Sequence, residues 1–219
     1  HARSAFLGDI LVRVLRAAGN DVTSEFYIND QGNQVAVLGK SIYLRYQELF
    51  GKTISLEKDT YPADYIIDIA KEIEESDGDK WLDEEDYLSY FSRYGIEYNL
   101  KTIKKVLKSA SIEVDNWYSE KSLYDDDKIE ALLSAYSTLG MTYKAKEPNR
   151  LEEKIRREES NAAKYADKQL GGTFLKTTSF GDEEDRILLK HDDTPVYLAG
   201  DLAYHKNKFD RNFDQIIDI

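Results

Sequence analysis

The chain has 219 residues and no cysteine. This excludes disulfides, thiolate zinc sites and a cysteine nucleophile, and it fits a cytoplasmic setting. Three histidines, His1, His191 and His205, are too few for a multi-histidine site, so no protein-held metal is expected. No stretch approaches the eighteen or so apolar residues of a membrane span, and no basic-then-apolar signal segment opens the chain. Basic residues are outnumbered, 30 Lys and Arg against 42 Asp and Glu, for a formal net charge of −12. That balance argues against a large nucleic-acid footprint, which needs a basic face.

At 41% hydrophobic and 33% charged, the composition is that of a soluble globular chain able to bury a core. Most of the carboxylates read as solvated surface, and some are available to a cationic small molecule.

Apolar residues recur at helical spacing in the opening segment: Phe6, Ile10 and Val14, beside Leu7, Leu11, Leu15 and Ala18. Gly19 and Asn20 supply the stop. The run DVTSEFYIND reads as a strand with Val22, Phe26 and Ile28 on one face and Tyr27 on the other. A turn at DQGN and a helix from Asn33 follow. Helix, strand and helix within about fifty residues predict an α/β layer.

Over 52–110 the texture is helical without strands, and YPADYIIDIAKEIEES, DEEDYLSYFSRYGI and NLKTIKKVLKSASI read as three short helices. Strand character returns at VDNWYSEKSLY, a helix follows in DDDKIEALLSAYSTLG, and MTYKAKE reads as a further strand. Asn149 caps a charged helix that closes on Gly171 and Gly172. TFLKTTSF and RILLKHDD are predicted to pair as a hairpin across GDEED. A helix from Thr194, with Pro195 in its first turn, and a final strand in FDQIIDI complete the chain.

Within that last helix Tyr197, Asp201 and His205 are spaced four apart and share one stripe. Asp201 lies too deep to cap the helix or to complement its dipole, and its neighbours Leu198, Ala199, Leu202 and Ala203 are apolar. Two readings are open. One is a buried carboxylate bonded to nearby backbone or a lysine, and the other is a carboxylate that reads a cationic ligand. Mid-helix Gly200 costs about 1 kcal/mol relative to alanine, which suits close approach of a ligand or another backbone. Asn29 and Asp30 end the first strand, where open α/β sheets place ligands, although Asp30 fits a strand-ending Asx turn better.

Several ordered blocks, HAR…GD…LRAAGNDV, EFYINDQGNQ, YPADYI, VDNWYSEKSLY, SFGDEEDRILLKHDDTPVYLAGDLAYH and KFDRNFDQIIDI, resemble the arginyl-tRNA synthetases, a class I aminoacyl-tRNA synthetase family. The resemblance covers nearly the whole chain. It implies part of a Rossmann-like nucleotide-binding fold. The parts are a first catalytic segment (1–51), a helical insertion (52–110), a return to the catalytic domain (111–143), a connecting segment with a hairpin (144–193), and a helix and strand (194–219). It also implies ligation of arginine to tRNA(Arg), with ATP as co-substrate and Mg²⁺ as its escort.

The chain would begin at the second histidine of the family's His-x-Gly-His motif. On this reading it is an interior fragment, inactive alone. His1, at a helix N-terminus, would contact the α-phosphate region; without the resemblance, a terminal histidine is simply a tag remnant or a disordered end. By the same correspondence Glu120 and Asp201 would pair with the guanidinium or amino group of arginine, and Tyr197 would wall the pocket. His205 would orient Asp201 or sit as a core histidine. One departure stands out: Asp192-Asp193-Thr194 replaces the family's usual Asp-Gly-Thr, which strains the turn if it requires a positive φ. The competing readings are a class I synthetase of other specificity and a non-enzymatic acidic interaction module.

Overall fold

The computed structural model describes residues 2–55, 60–146 and 171–219. Two compact units divide the chain, one of residues 1–121 with Ile219 and one of residues 122–218.

In the first unit, α1 (Ala2–Ala17) leads through β1 (Glu25–Ile28) to α2 (Asn33–Leu49), α3 (Asp64–Asp77), α4 (Tyr87–Ser109) and β2 (Asn116–Ser119). β1 and β2 pair in parallel, Glu25 opposite Asn116 and Ile28 opposite Ser119. A parallel pair requires a crossover, which α2, α3 and α4 provide. Strand alternation places Phe26 on Trp117 (ring centroids 4.9 Å apart) on one face and Tyr27 beside Tyr118 on the other.

The core of this unit lies among the three crossover helices. Ile42, Tyr46, Ile66, Ile69, Ile73 and Phe91 are fully buried there. Their i, i+3, i+4 spacing on α2 and α3 gives each helix one apolar stripe, and burying those stripes against α4 holds the layer together. Aromatic rings interlock across it, Tyr43 on Tyr87 at 3.8 Å and Trp81 on Tyr90 at 4.0 Å. Burial, reinforced by Asp77, pushes the Tyr90 hydroxyl up to about 12, while the Trp81 indole N–H holds Asp77 below the usual carboxylate range.

Two of the helices expected over 52–110 are one. α4 runs through Gly95 without a break. This glycine serves close approach: a Cβ there would lie 2.5 Å from Ile42 Cδ1 and 3.0 Å from Leu38 Cδ2 on α2.

In the second unit, α5 (Lys121–Asp125, beginning at the boundary) and α6 (Lys128–Thr138) precede an antiparallel sheet. Its strands are β3 (Thr142–Ala145), β4 (Gly172–Leu175) and β5 (Arg186–Lys190), in that order. The β4–β5 pairing matches the expected hairpin, joined through a 3₁₀ turn at Thr177–Phe180. The final helix α7 (Tyr197–Asp210) packs on α6 and β5, burying Ala199 and Ala203.

Thr194 and Pro195 differ from expectation. They continue the sheet, with Pro195 bridged to Leu189, and α7 starts at Tyr197 behind Val196. Lys190 N–H donates to the Thr194 carbonyl and Val196 N–H to that of Leu188 (both 2.9 Å), so the proline stands where no donor is needed. FDQIIDI forms no strand, and Ile217 and Ile219 are each 56% exposed. The helix capped by Asn149 lies outside the described residues. No helix among them is long and apolar enough to cross a membrane.

Candidate functional site

The carboxyl ends of β1 and β2 lie side by side because the strands are parallel and in register. Asn29 and Asp30 leave β1 there, and Glu120 and Lys121 leave β2. Glu120 is only 7% exposed, and its N–H donates to the Ile28 carbonyl (3.0 Å) as the last rung of the pair. Asn29, with its carboxamide oriented to satisfy both ends, donates to Glu120 Oε2 (3.1 Å) and to the Gln31 carbonyl (3.2 Å).

Beside this contact Asp30 acts as a clamp between the strand ends. Its Oδ2 accepts from Ser119 Oγ (2.5 Å) and its Oδ1 from the backbone N–H of Lys121 (2.8 Å). These two bonds bracket residue 120 on both sides. The Asx turn expected for Asp30 is not what forms, because the parallel neighbour offers donors that a turn would leave unused. Ser119, and its partnership with Asp30, escaped sequence reasoning because that partnership depends on strand register.

A carboxylate in this position can accept charge-assisted hydrogen bonds from a cation, and burial makes each of them stronger than it would be in water. No group of three or more His, Asp or Glu able to hold a metal occurs among the described residues.

On α7, within the second unit, Tyr197, Asp201 and His205 do share one stripe. Tyr197 is 71% exposed, and Asp201 is exposed rather than buried in an apolar surround. Asp201 forms no hydrogen bond or ion pair among the described residues. His205 turns toward Asp218, with Nδ1 3.8 Å from Oδ2, while Lys208 Nζ donates to Oδ1 of the same carboxylate (2.5 Å). Gly200 is buried in the helix. His1 lies outside the described residues.

Ahead of α7 the turn has the geometry that made its sequence unusual. Asp193 is at φ 59°, and Asp192 Oδ1 accepts from the Thr194 N–H (3.0 Å); the Thr194 side chain and, after it, this backbone bond lower the pKa of Asp192. The loop between β4 and β5 is also tightly built. Burial alone would raise the Asp185 carboxyl, but Thr178 N–H and Oγ1 (2.9 and 2.7 Å) and Tyr143 OH (2.9 Å) donate to it and hold it low.

No family model matches the chain. Curated relatives match all of it. An arginine–tRNA ligase of Oceanobacillus iheyensis is 39% identical over 221 residues, covering 100% of this chain and 35% of the relative. That of Bacillus subtilis gives the same identity and coverage. Among solved structures, a protein assigned as an arginyl-tRNA synthetase from Campylobacter jejuni superposes with a TM-score of 0.79 at 31% identity, covering 98% of this chain and 42% of that one. The chain thus spans about a third of the length of the curated relatives it matches. Similarity runs unbroken along the whole length of the chain, with the fold to match, so the chain resembles an interior third of the arginine–tRNA ligases.

Proposed function

We propose that this chain carries the arginine-reading part of an ATP-dependent arginine–tRNA ligase, working in the cytoplasm. The supporting observation is Glu120: a buried carboxylate at the carboxyl edge of a parallel strand pair, oriented by Asn29. Open α/β sheets bind ligands at that edge, which also supports a Rossmann-like assignment of the β1–β2 layer. Glu120 in the first unit and, by the resemblance, Asp201 in the second are each a candidate to take the guanidinium or the amino group of arginine. A guanidinium offers five donors in a planar fork that a carboxylate matches in pairs. Tyr197, largely exposed on the same stripe as Asp201, would wall the pocket.

ATP would supply the adenylyl group that activates the arginine carboxylate, with pyrophosphate leaving, and His1 would donate a hydrogen bond near the α-phosphate. Magnesium bound through ATP phosphates needs only one or two protein carboxylates, and no residue is assigned to it. By itself the 219-residue chain is expected to form no arginyl-adenylate, since it spans only a third of its relatives.

Amino-acid-dependent ATP–pyrophosphate exchange by the full-length protein, with cognate tRNA present, tests this reading. Arginine should support exchange, and lysine, glutamine and citrulline should not. Truncating one partner of a buried charged pair costs about 2–5 kcal/mol, so Glu120→Gln should lower kcat/KM for arginine roughly 30-fold or more. Asp201→Ala should abolish exchange. Exchange with a neutral amino acid alone would point to another class I specificity; none at all, in folded protein, would favour an interaction module.

A further inference from the structure

One acid-free stretch of this acidic chain is rich in lysine. From Tyr98 to Ile112 there are four lysines and neither aspartate nor glutamate, although 42 of the 219 residues are acidic. Lys101, Lys104, Lys105 and Lys108 all lie on α4, and at 100° per residue they fall within about 100° of one another. All four are exposed, and none forms an ion pair among the described residues.

Ordinary structural roles account for part of this stripe. Lys108, in the last turn, complements the helix dipole, an effect that fades beyond that turn. Lys101 shares a groove of about 300 Å³ with Glu72 and Glu97, which offsets its charge. Lys104 Nζ sits 4.7 Å from the centre of the Trp117 ring, so its stem is fixed against β2. Lys105 has no such role, and the exposed residues Lys104 and Lys108 flank it. The strand that anchors Lys104 is the one that leads into Glu120, so the cationic face adjoins the layer bearing the candidate site.

We infer that the Lys104–Lys105–Lys108 face of α4 is a contact for the phosphate backbone of RNA. This rests on the ligase reading above, under which tRNA is the polyanion in question. The charge is local and the footprint small, as a net charge of −12 requires. Three cations grouped within about one turn of a rigid helix suit neighbouring phosphates, which lysines neutralise as point charges without reading bases. Such a contact adds affinity and salt dependence but no sequence specificity.

The test uses the full-length protein and fluorescein-labelled tRNA, with affinity measured by anisotropy between 50 and 200 mM KCl. Lys105→Ala/Lys108→Ala replaces two exposed helix residues with a better helix former, so folding is preserved. If both contact phosphates, the log–log salt slope should shrink by about 1.4–1.8, and affinity at 0.1 M salt should fall roughly 25- to 60-fold. Lys105→Arg/Lys108→Arg should restore both. An unchanged slope and affinity in the alanine variant overturns the inference. So does a variant that loses binding only to vesicles of equal phosphatidylserine and phosphatidylcholine while holding tRNA normally. Arginine-dependent exchange by the wild-type protein, assayed separately, reports on the ligase reading: normal exchange with an unchanged slope sinks the lysine face alone.

Discussion

Gly39→Ala should destabilise the first unit, although alanine is the better helix former. In an exposed helix interior this change would gain about 1 kcal/mol. Here a Cβ would overlap the Ser92 side chain and lie 2.8 Å from Ser92 N and 3.0 Å from its Cα on α4. Backbone cannot yield as a side-chain end can. Ser92 is also buried, with Oγ donating to the Val35 carbonyl (3.1 Å), so prying α2 from α4 strains that bond as well. Overpacking of this kind costs about 1–3 kcal/mol, and a backbone clash belongs at the upper end. Setting about 3 against about 1 leaves a net loss of roughly 2 kcal/mol. Gly95→Ala meets only the ends of the Ile42 and Leu38 side chains, so its net loss should be smaller, roughly 0–1 kcal/mol. Urea denaturation followed by tryptophan fluorescence is a selective assay, because both tryptophans, Trp81 and Trp117, lie in this unit. With an m-value of about 2 kcal/mol/M, the Gly39→Ala midpoint should drop by roughly 1 M. A midpoint equal to or above wild type would refute the close crossing of α2 and α4.

Asp30→Ala removes the acceptor shared by Ser119 Oγ and Lys121 N–H, freeing the backbone on both sides of Glu120. In the full-length protein it should raise KM for arginine roughly tenfold, the equivalent of one charge-assisted hydrogen bond, with a smaller change in kcat; an unaltered KM would detach the clamp from arginine binding. Asp193→Gly relieves a φ of 59° while giving up an exposed ion pair with Lys144 (3.0 Å) that contributes little. The second unit should gain about 0.5–1 kcal/mol by calorimetry, and a lower Tm would contradict the strain. Asp182 is held down to about 2 by the Arg186 guanidinium, which donates twice to it (2.7 Å each). A depressed carboxyl stabilises the fold above its unfolded value near 3.9, and that contribution disappears as pH falls through about 2. NMR titration of Asp182 should show this, and Arg186→Ala should return its midpoint toward the ordinary range.

Much of the local structure was legible because it depends on neighbours in sequence. The amphipathic spacing of α1, the turn before α2, the β4–β5 hairpin and the helix ending at Gly140 follow from periodicity and from turn residues acting within a few positions. Glu120 and Asn29 were legible as candidates through chain resemblance and strand position. Their hydrogen bond was not, because it depends on a register between strands 91 residues apart.

Chemical type and local bias were therefore settled by the sequence itself: no thiol chemistry, an acidic surface, alternating helix and strand, and a set of blocks shared with the arginyl-tRNA synthetases. Tertiary structure decided whatever turned on a distant partner. Gly95 reads locally as a helix breaker, but packing against Ile42 makes it the residue that lets α4 pass α2. Thr194 and Pro195 read as a helix start, yet two backbone hydrogen bonds to β5 draw them into the sheet. FDQIIDI has the residues of a strand but gains no ladder, and a strand without a partner leaves its backbone groups to water. Propensity is a matter of about 1 kcal/mol or less per residue, so a single long-range hydrogen bond or steric overlap suffices to reverse it.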